Sequence, residues 1–287
     1  MHLTFLGTGA ATSAPLAFCR CPACTAARRL GGKNIRRRSS LLINDDLLID
    51  LGPDAVQATL ALGKDLTAVR IILFTHAHSD HFDPGHLATR WSEYACEAPT
   101  PITVCCSETG LRIISDYIDR EENGLRLDTP EGLSLLRAEA RACAANETFS
   151  CGNYTITALY SRHDPSKDSR LYIVDDGSSR VLYATDTPPV EEDFYDALRA
   201  AGAPLDCAIV DHTYGPGMPD APRTDHMTAH DVARLTAELR GFGLLRPNGQ
   251  VWATHISHEC TPVHDELDAF AQANGYCIAW DGLELDI

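Results

Sequence analysis

Val69-Arg70-Ile71-Ile72-Leu73-Phe74 runs without a break into Thr75-His76-Ala77-His78-Ser79-Asp80-His81. The first part is short, continuous in apolar character and β-branched, which predicts a buried strand. The second part sets three imidazoles and a carboxylate in the turn where that strand ends, the place where α/β proteins commonly carry their sites. His76, His78, Asp80 and His81 sit too close together in sequence for all four to reach one ion. Two divalent ions sharing the segment is the expected solution. The plain alternative is a histidine-rich surface loop, but clustering of His and Asp at this density is rare away from metal.

Working outward, Leu3 to Leu6 reads as a strand entering Gly7-Thr8-Gly9, and Ser40 to Ile43 with Leu47 to Leu51 as a hairpin turned at Asn44-Asp45-Asp46. Ile102 to Cys105, Leu133 to Ala138, Tyr154 to Tyr160, Arg170 to Val174, Arg180 to Ala184, Asp206 to Val210, Gln250 to Thr254 and Tyr276 to Trp280 read as further strands. Helices are expected over Asp54 to Leu62, Glu108 to Arg120, Glu191 to Ala201, Thr228 to Arg240 and Pro262 to Asn274. Hairpins mixed with strand-helix units predict an α/β fold of layered sheets covered by helices, with residues 1–287 as one domain. Three of the expected strands run out into further ligand types: His163, Asp186 and His255.

Phe18-Cys19-Arg20-Cys21-Pro22-Ala23-Cys24 places three thiols in Cys-x-Cys-x-x-Cys spacing, which predicts an N-terminal zinc-binding loop near 19–24. Three thiolates want a fourth ligand. His258 in Thr254-His255-Ile256-Ser257-His258 is the candidate, because one strand end would then serve both sites. Such a zinc would be closed and structural. The opening residues lack a basic region, a long apolar segment and a cleavage site, so a reducing cytoplasmic setting is expected and the eleven cysteines are read as thiols. Cys105, Cys106, Cys207 and Cys277 lie in apolar runs and are expected to be buried.

The ordered set His-x-His-x-Asp-His, a separate His, an Asp and a last His resembles the metallo-β-lactamase superfamily over nearly the whole chain. The resemblance implies an αββα sandwich of two mixed β-sheets flanked by helices. It implies that His76, His78 and His163 hold one ion, that Asp80, His81 and His255 hold another, and that Asp186 bridges them. Imidazole and carboxylate donors suit Zn²⁺, and the carboxylate share leaves Mn²⁺ or Fe open. The cysteine loop with the late Thr-His-Ile-Ser-His is similar to the phosphodiesterase branch of the carbon-phosphorus lyase pathway. Leu6-Gly7-Thr8-Gly9, Arg90-Trp91, Asp186-Thr187, Asp220-Ala221-Pro222-Arg223 and Asp281-Gly282 are shared short features. Ribonuclease Z, lactonases and the pyrroloquinoline-quinone biosynthesis protein carry the core motif too, and the long arm by which ribonuclease Z grips transfer RNA is not evident here.

The branch resemblance implies a small or cyclic phosphodiester substrate, hydrolysed by a metal-bridging hydroxide, with Asp80 among the catalytic as well as the metal-holding residues. The leaving alkoxide needs a proton. Asp225-His226-Met227-Thr228 resembles the ribonuclease Z element that supplies an acid, and Asp211-His212-Thr213 its acidic partner. Asp211 beside His226 would raise and orient that imidazole, while a merely helix-capping role for His226 is the alternative. The carbon-phosphorus lyase enzyme has a histidine where this chain has Tyr214, with His212 displaced by two, so His212 and His226 both stand as candidate acids. Lactone or other carboxylic ester hydrolysis, and a non-catalytic metal-dependent accessory role, are the competing functions.

A net charge of −16 argues against general nucleic-acid binding. No apolar run approaches the roughly 18 residues of a membrane span. A homodimer is an expectation from the resemblance. Arg36-Arg37-Arg38 reads as a solvated basic turn, His86, His230 and His264 as surface residues on helices, His2 as structural, and Gly7-Thr8-Gly9 as turn chemistry rather than a phosphate loop.

Overall fold

A computed structural model describes residues 1–83, 85–121, 124–202, 204–219 and 223–287, so most of Asp220-Ala221-Pro222-Arg223 lies outside the described residues. Strands β1 (His2–Gly7), β2 (Ser40–Ile43), β3 (Leu47–Ile49), β4 (Ile71–Leu73), β5 (Ile102–Cys106) and β6 (Ala138–Ala142) come first. They are followed by β7 (Glu147–Cys151), β8 (Tyr154–Tyr160), β9 (Arg170–Asp175), β10 (Arg180–Ala184), β11 (Leu205–Asp211), β12 (Leu245–Thr254), β13 (Cys277–Ile278) and β14 (Glu284–Asp286). Two seven-stranded mixed sheets result, ordered β14-β1-β2-β3-β4-β5-β6 and β13-β12-β11-β10-β9-β8-β7.

Central strands such as β2, β3, β4 and β10 are buried on both faces, which is why they read as continuous apolar runs rather than alternating ones. In β2, Leu41 and Ile43 face the layer between the sheets while Leu42 faces the helices outside. In β10, Val181 and Tyr183 face the same inner layer, and Leu182 and Ala184 face the other outer one. Helices Ala55–Ala61, Gly85–Ala88, Glu108–Glu121 and Pro130–Leu136 cover the first sheet. Helices Glu192–Ala200, Ala229–Gly241 and His264–Ala273 cover the second. The expected αββα sandwich is therefore present, and its parallel strands β4, β10, β11 and β12 leave their C-terminal ends at one edge. Among the described residues no helix is long and apolar enough to cross a membrane.

Four readings need correction. Leu133 to Ala138 is not a strand: Thr129 caps a helix by accepting from Gly132 N, with Pro130 in the first turn, and β6 begins only after Arg137 turns left-handed at φ 49°. Arg36 is not solvated. It is buried, donating from Nη1 to Thr8 Oγ1 at 2.8 Å and to the Ala279 carbonyl at 2.6 Å, while Arg37 pairs with Asp281 and Arg38 with Asp54. His264 is not at the surface either; its Nδ1 accepts from Arg36 Nη2 at 3.0 Å. Cys277 is half-buried, whereas Cys105, Cys106 and Cys207 are buried as expected.

This buried pair makes stability sensitive to acid. Burial, with Arg36 and Lys33 alongside, pushes the His264 imidazole down to about 4. The unfolded imidazole takes its proton near 6.5 and the folded one only near 4, so the stability it protects is full above about pH 6.5 and falls as the pH drops through that window. His264→Gln, which keeps an acceptor for Arg36, is expected to flatten the fall of melting temperature between pH 6.5 and pH 4, as read by calorimetry.

Candidate metal centre

The turn after β4 brings His76, His78, Asp80 and His81 to the shared edge; the loops after β8, β10 and β12 bring His163, Asp186 and His255. Gly52 lets the turn in: a Cβ there would lie 2.2 Å from the Asp80 carbonyl oxygen. Asp186 and His255 both adopt left-handed backbone, at φ 53° and 59°, as does Asp50 at 61°. Such strain in non-glycine residues costs about 1–3 kcal/mol each and is held only where the surroundings fix it.

The donor atoms fall into two groups that meet at Asp186. His76 Nε2 lies 2.8 Å and His163 Nε2 3.3 Å from His78 Nδ1, and Asp186 Oδ1 is 3.4 Å from His163 Nε2. On the other side His81 Nε2 lies 3.0 Å from Asp80 Oδ2 and 2.8 Å from Asp186 Oδ2, with His255 Nε2 at 3.5 Å and 3.3 Å from the same two oxygens. Zn–N bonds of about 2.1 Å in tetrahedral array put neighbouring ligand atoms about 3.4 Å apart, so both spacings fit bound cations. His81 Nε2 and Asp186 Oδ2 are moreover buried without a hydrogen-bond partner, although they are close. They aim at a common point rather than at each other, as ligands do.

Each imidazole is held by its other nitrogen, which sets the donor atom it offers. His76 Nδ1 meets Thr75 Oγ1 at 3.0 Å, His78 Nε2 meets Asp164 Oδ2 at 3.0 Å, and His163 Nδ1 donates to the Asp225 carbonyl at 2.9 Å. His81 Nδ1 donates to Asp50 Oδ2 at 2.7 Å, and His255 Nδ1 meets Thr213 Oγ1 at 2.9 Å. Burial holds His76 well below its ordinary value, in the neutral form a ligand needs. Burial would raise Asp80, but His81 and His255 outweigh it and keep the carboxylate ionised.

The two candidate acids part company here. His212 is fully buried, its Nε2 3.1 Å from Tyr276 Oη, and burial pushes it down to about 4; it belongs to neither donor group. His226 borders both groups: its ring is 4.7 Å from that of His163 and stacks on His255 at 5.2 Å. Its Nδ1 donates to Asp211 Oδ2 at 3.0 Å. Burial lowers His226, but Asp211, then Asp186 and Asp225, more than offset it and raise the imidazole to about 9. Asp211 is itself fixed by the backbone amides of Asp186, Thr213 and Met227. Tyr214 donates to Asp225 Oδ2 at 2.7 Å, in the loop leading to His226.

Cys19, Cys21, Cys24 and His258 also come together, with their ligand atoms within 4.8 Å of one another. His258 Nδ1 is 3.5 Å from Cys21 Sγ and 4.0 Å from Cys19 Sγ. The amides of Cys21 and Cys24 donate to Cys19 Sγ and Cys21 Sγ, both at 3.4 Å. The amide of Cys24 lowers the Cys21 thiol to about 6, despite burial, favouring the thiolate. Asp50, Asp164 and Thr213 were not singled out from the sequence. Only Asp50 carried a signal there, as an acid closing the apolar run Leu47-Leu48-Ile49.

Residues 46–256 match the β-lactamase superfamily domain, and the chain belongs to the metallo-β-lactamase superfamily of metal-dependent hydrolases. Ribonuclease Z of Lachnoclostridium phytofermentans is 26% identical over 272 residues, covering 81% of this chain and 84% of that protein. Ribonuclease Z of Lachnospira eligens is 25% identical over 264 residues, covering 77% and 81%. Among solved structures, Zn²⁺-bound PqqB from Methylobacterium extorquens superposes with TM-score 0.75 at 22% identity over 100% of both chains. A diphosphatase of the PhnP family gives 0.71 at 20% identity over 99% and 96%.

Gly52→Ala is expected to push the Asp80 backbone away, costing about 1–3 kcal/mol in thermal stability and lowering the metal content counted by elemental analysis. His258→Ala is expected to remove one ion per chain and lower the melting temperature, with a much smaller change in turnover; equal losses of both would contradict a purely structural role.

Proposed function

We propose that this chain is a dinuclear metal-dependent phosphodiesterase acting on a small or cyclic phosphate ester. The observation that carries the reading is His226, an imidazole beside both donor groups that completes neither trio and is oriented by Asp211. A carboxylic ester or lactone asks less of a proton donor; an alkoxide leaving a phosphodiester needs one. The names ribonuclease Z and diphosphatase, borne by two curated relatives and a structural one, share chemistry at phosphate. A net charge of −16 favours a small substrate over RNA.

Bound at the two trios, divalent ions, with Zn²⁺ or Mn²⁺ first and Fe as the further choice, supply the charge that draws phosphoryl oxygens and brings water towards neutral pKa. The protein's own residues do the rest. Asp186 reaches both trios with one carboxylate and so fixes their spacing. His226 protonates the leaving oxygen, and Asp211 keeps its Nδ1 occupied so that Nε2 is the atom that delivers. Cys19, Cys21, Cys24 and His258 would hold a third ion, a structural Zn²⁺, which would tie the N-terminal loop to the strand end carrying His255.

The test is turnover of an aryl phosphodiester beside a panel of lactones by metal-loaded protein. Lactone turnover without phosphodiester turnover would overturn the reading, and intact metals with neither activity would favour an accessory role. His226→Ala is expected to lower kcat on an alkyl phosphodiester about 10²- to 10⁴-fold with metal content unchanged. The loss should be far smaller on a p-nitrophenyl ester, whose leaving group needs no proton.

A further inference from the structure

Tyr214 belongs to neither donor group, yet it grips the chain on both sides of His226. Strand β11 ends at Asp211, whose Oδ2 accepts from His226 Nδ1 at 3.0 Å. Further along the same segment, Tyr214 Oη donates to Asp225 Oδ2 at 2.7 Å, on the N-terminal side of His226. On the C-terminal side, Tyr214 N donates to the Met227 carbonyl at 3.1 Å, and the Tyr214 carbonyl accepts from Ala229 N at 2.9 Å. Arg223 Cζ lies 4.5 Å from the Tyr214 ring centroid, which carries the grip two residues back from Asp225. One residue thus holds the chain from Arg223 to Ala229, with the His226 imidazole 6.0 Å from its ring.

The two sides of this grip are not alike. Beyond His226 the chain has other anchors: Met227 N donates to Asp211 Oδ1 at 3.1 Å, and Thr228 opens the helix Ala229–Gly241 through a capping box with Asp231. Before His226, Asp225 is held by its carbonyl, which accepts from His163 Nδ1 at 2.9 Å, and by its carboxylate, which accepts from Tyr214. That carbonyl shares a planar peptide unit with His226 N, so the plane from which the His226 side chain departs is set jointly by His163 and the phenol. An imidazole tied only at Nδ1 could still swing about that contact. The peptide plane behind it decides where Nε2 points.

We propose that Tyr214 is a positioning residue for the proton that His226 delivers, acting through Asp225 and touching no reacting atom. The inference rests on the phosphodiesterase reading. In that reaction the bond from phosphorus to the leaving oxygen breaks, the oxygen takes the proton from His226 Nε2, and the imidazolium becomes a neutral imidazole still hydrogen-bonded to Asp211. Tyr214 neither gains nor loses a proton. Its phenol holds the Asp225 peptide, and through it Nε2, in the pose the transfer needs. A misplacement of about 1 Å in such a step costs up to roughly 10²-fold in rate.

The experiment compares metal-loaded Tyr214→Phe with the metal-loaded wild-type chain on two phosphodiesters, one with an alkyl and one with a p-nitrophenyl leaving group. Phenylalanine keeps the ring beside Arg223 and the backbone pairs, so metal content and melting temperature should stay close to those of the wild type. On the alkyl ester kcat should fall about 10- to 10²-fold with KM unchanged. On the p-nitrophenyl ester the fall should be less than about threefold, because that leaving group needs no proton. Independently of turnover, amide hydrogen exchange read by mass spectrometry should be faster in the peptide carrying Asp225 and His226 and unchanged in β11. Equal losses on both esters, a rise in KM with kcat retained, or unchanged exchange around Asp225 would each overturn the proposal while leaving the phosphodiesterase reading standing. A wild-type chain that turns over neither phosphodiester would overturn both together.

Discussion

Asp186 is the residue on which the site turns. Its left-handed backbone presents one carboxylate edge-on to two sets of donors, with Oδ1 towards His163 and Oδ2 towards His81 and His255. That pose has no local reason in a non-glycine residue. It is held because the Asp186 amide donates to Asp211 and the Asp186 carbonyl accepts from Ser161 Oγ. The sandwich supplies these partners by bringing the ends of β8, β10 and β11 to one edge, so the packing of the sheets and the spacing of the donors are one constraint.

The same logic explains the concentration of ionisable groups in so little space. Asp50, Asp80, Asp186 and Asp211 are all buried beside His76, His81 and His255. Isolated charges there would be prohibitively costly, and each carboxylate is instead met by imidazoles, hydroxyls or amides. The atoms left over, His81 Nε2 and Asp186 Oδ2, are those that face the space between the donors.

Much of this was legible in the sequence, because the ligands follow strands and strands are marked by runs such as Ile71-Ile72-Leu73 and Val181-Leu182-Tyr183. Asp164 and Thr213 were not, since a residue that steadies a ligand is defined by adjacency in space alone. Arg36 misled for a related reason: three arginines in a row read as solvated, but their partners Asp281 and His264 arrive from the far end of the chain. The strand expected over Leu133 to Ala138 failed locally, where Thr129-Pro130 starts a helix that a purely apolar count overlooks. His212 and His226 were indistinguishable in one dimension and differ in three, one facing Tyr276 and the other the donors.

The segment following β12 carries His255 and, three residues later, His258, while Ile256 between them bonds to the Thr8 carbonyl and accepts from Ala10. Residues of both donor groups are thereby carried on one short segment. Energetic linkage is reciprocal, so whatever factor an ion at the thiol group contributes to affinity at the carboxylate-rich group must be returned in full when the order of filling is reversed. Any displacement of Ile256 would thus be felt at both donor sets together, since Thr8 and Ala10 hold the backbone between His255 and His258.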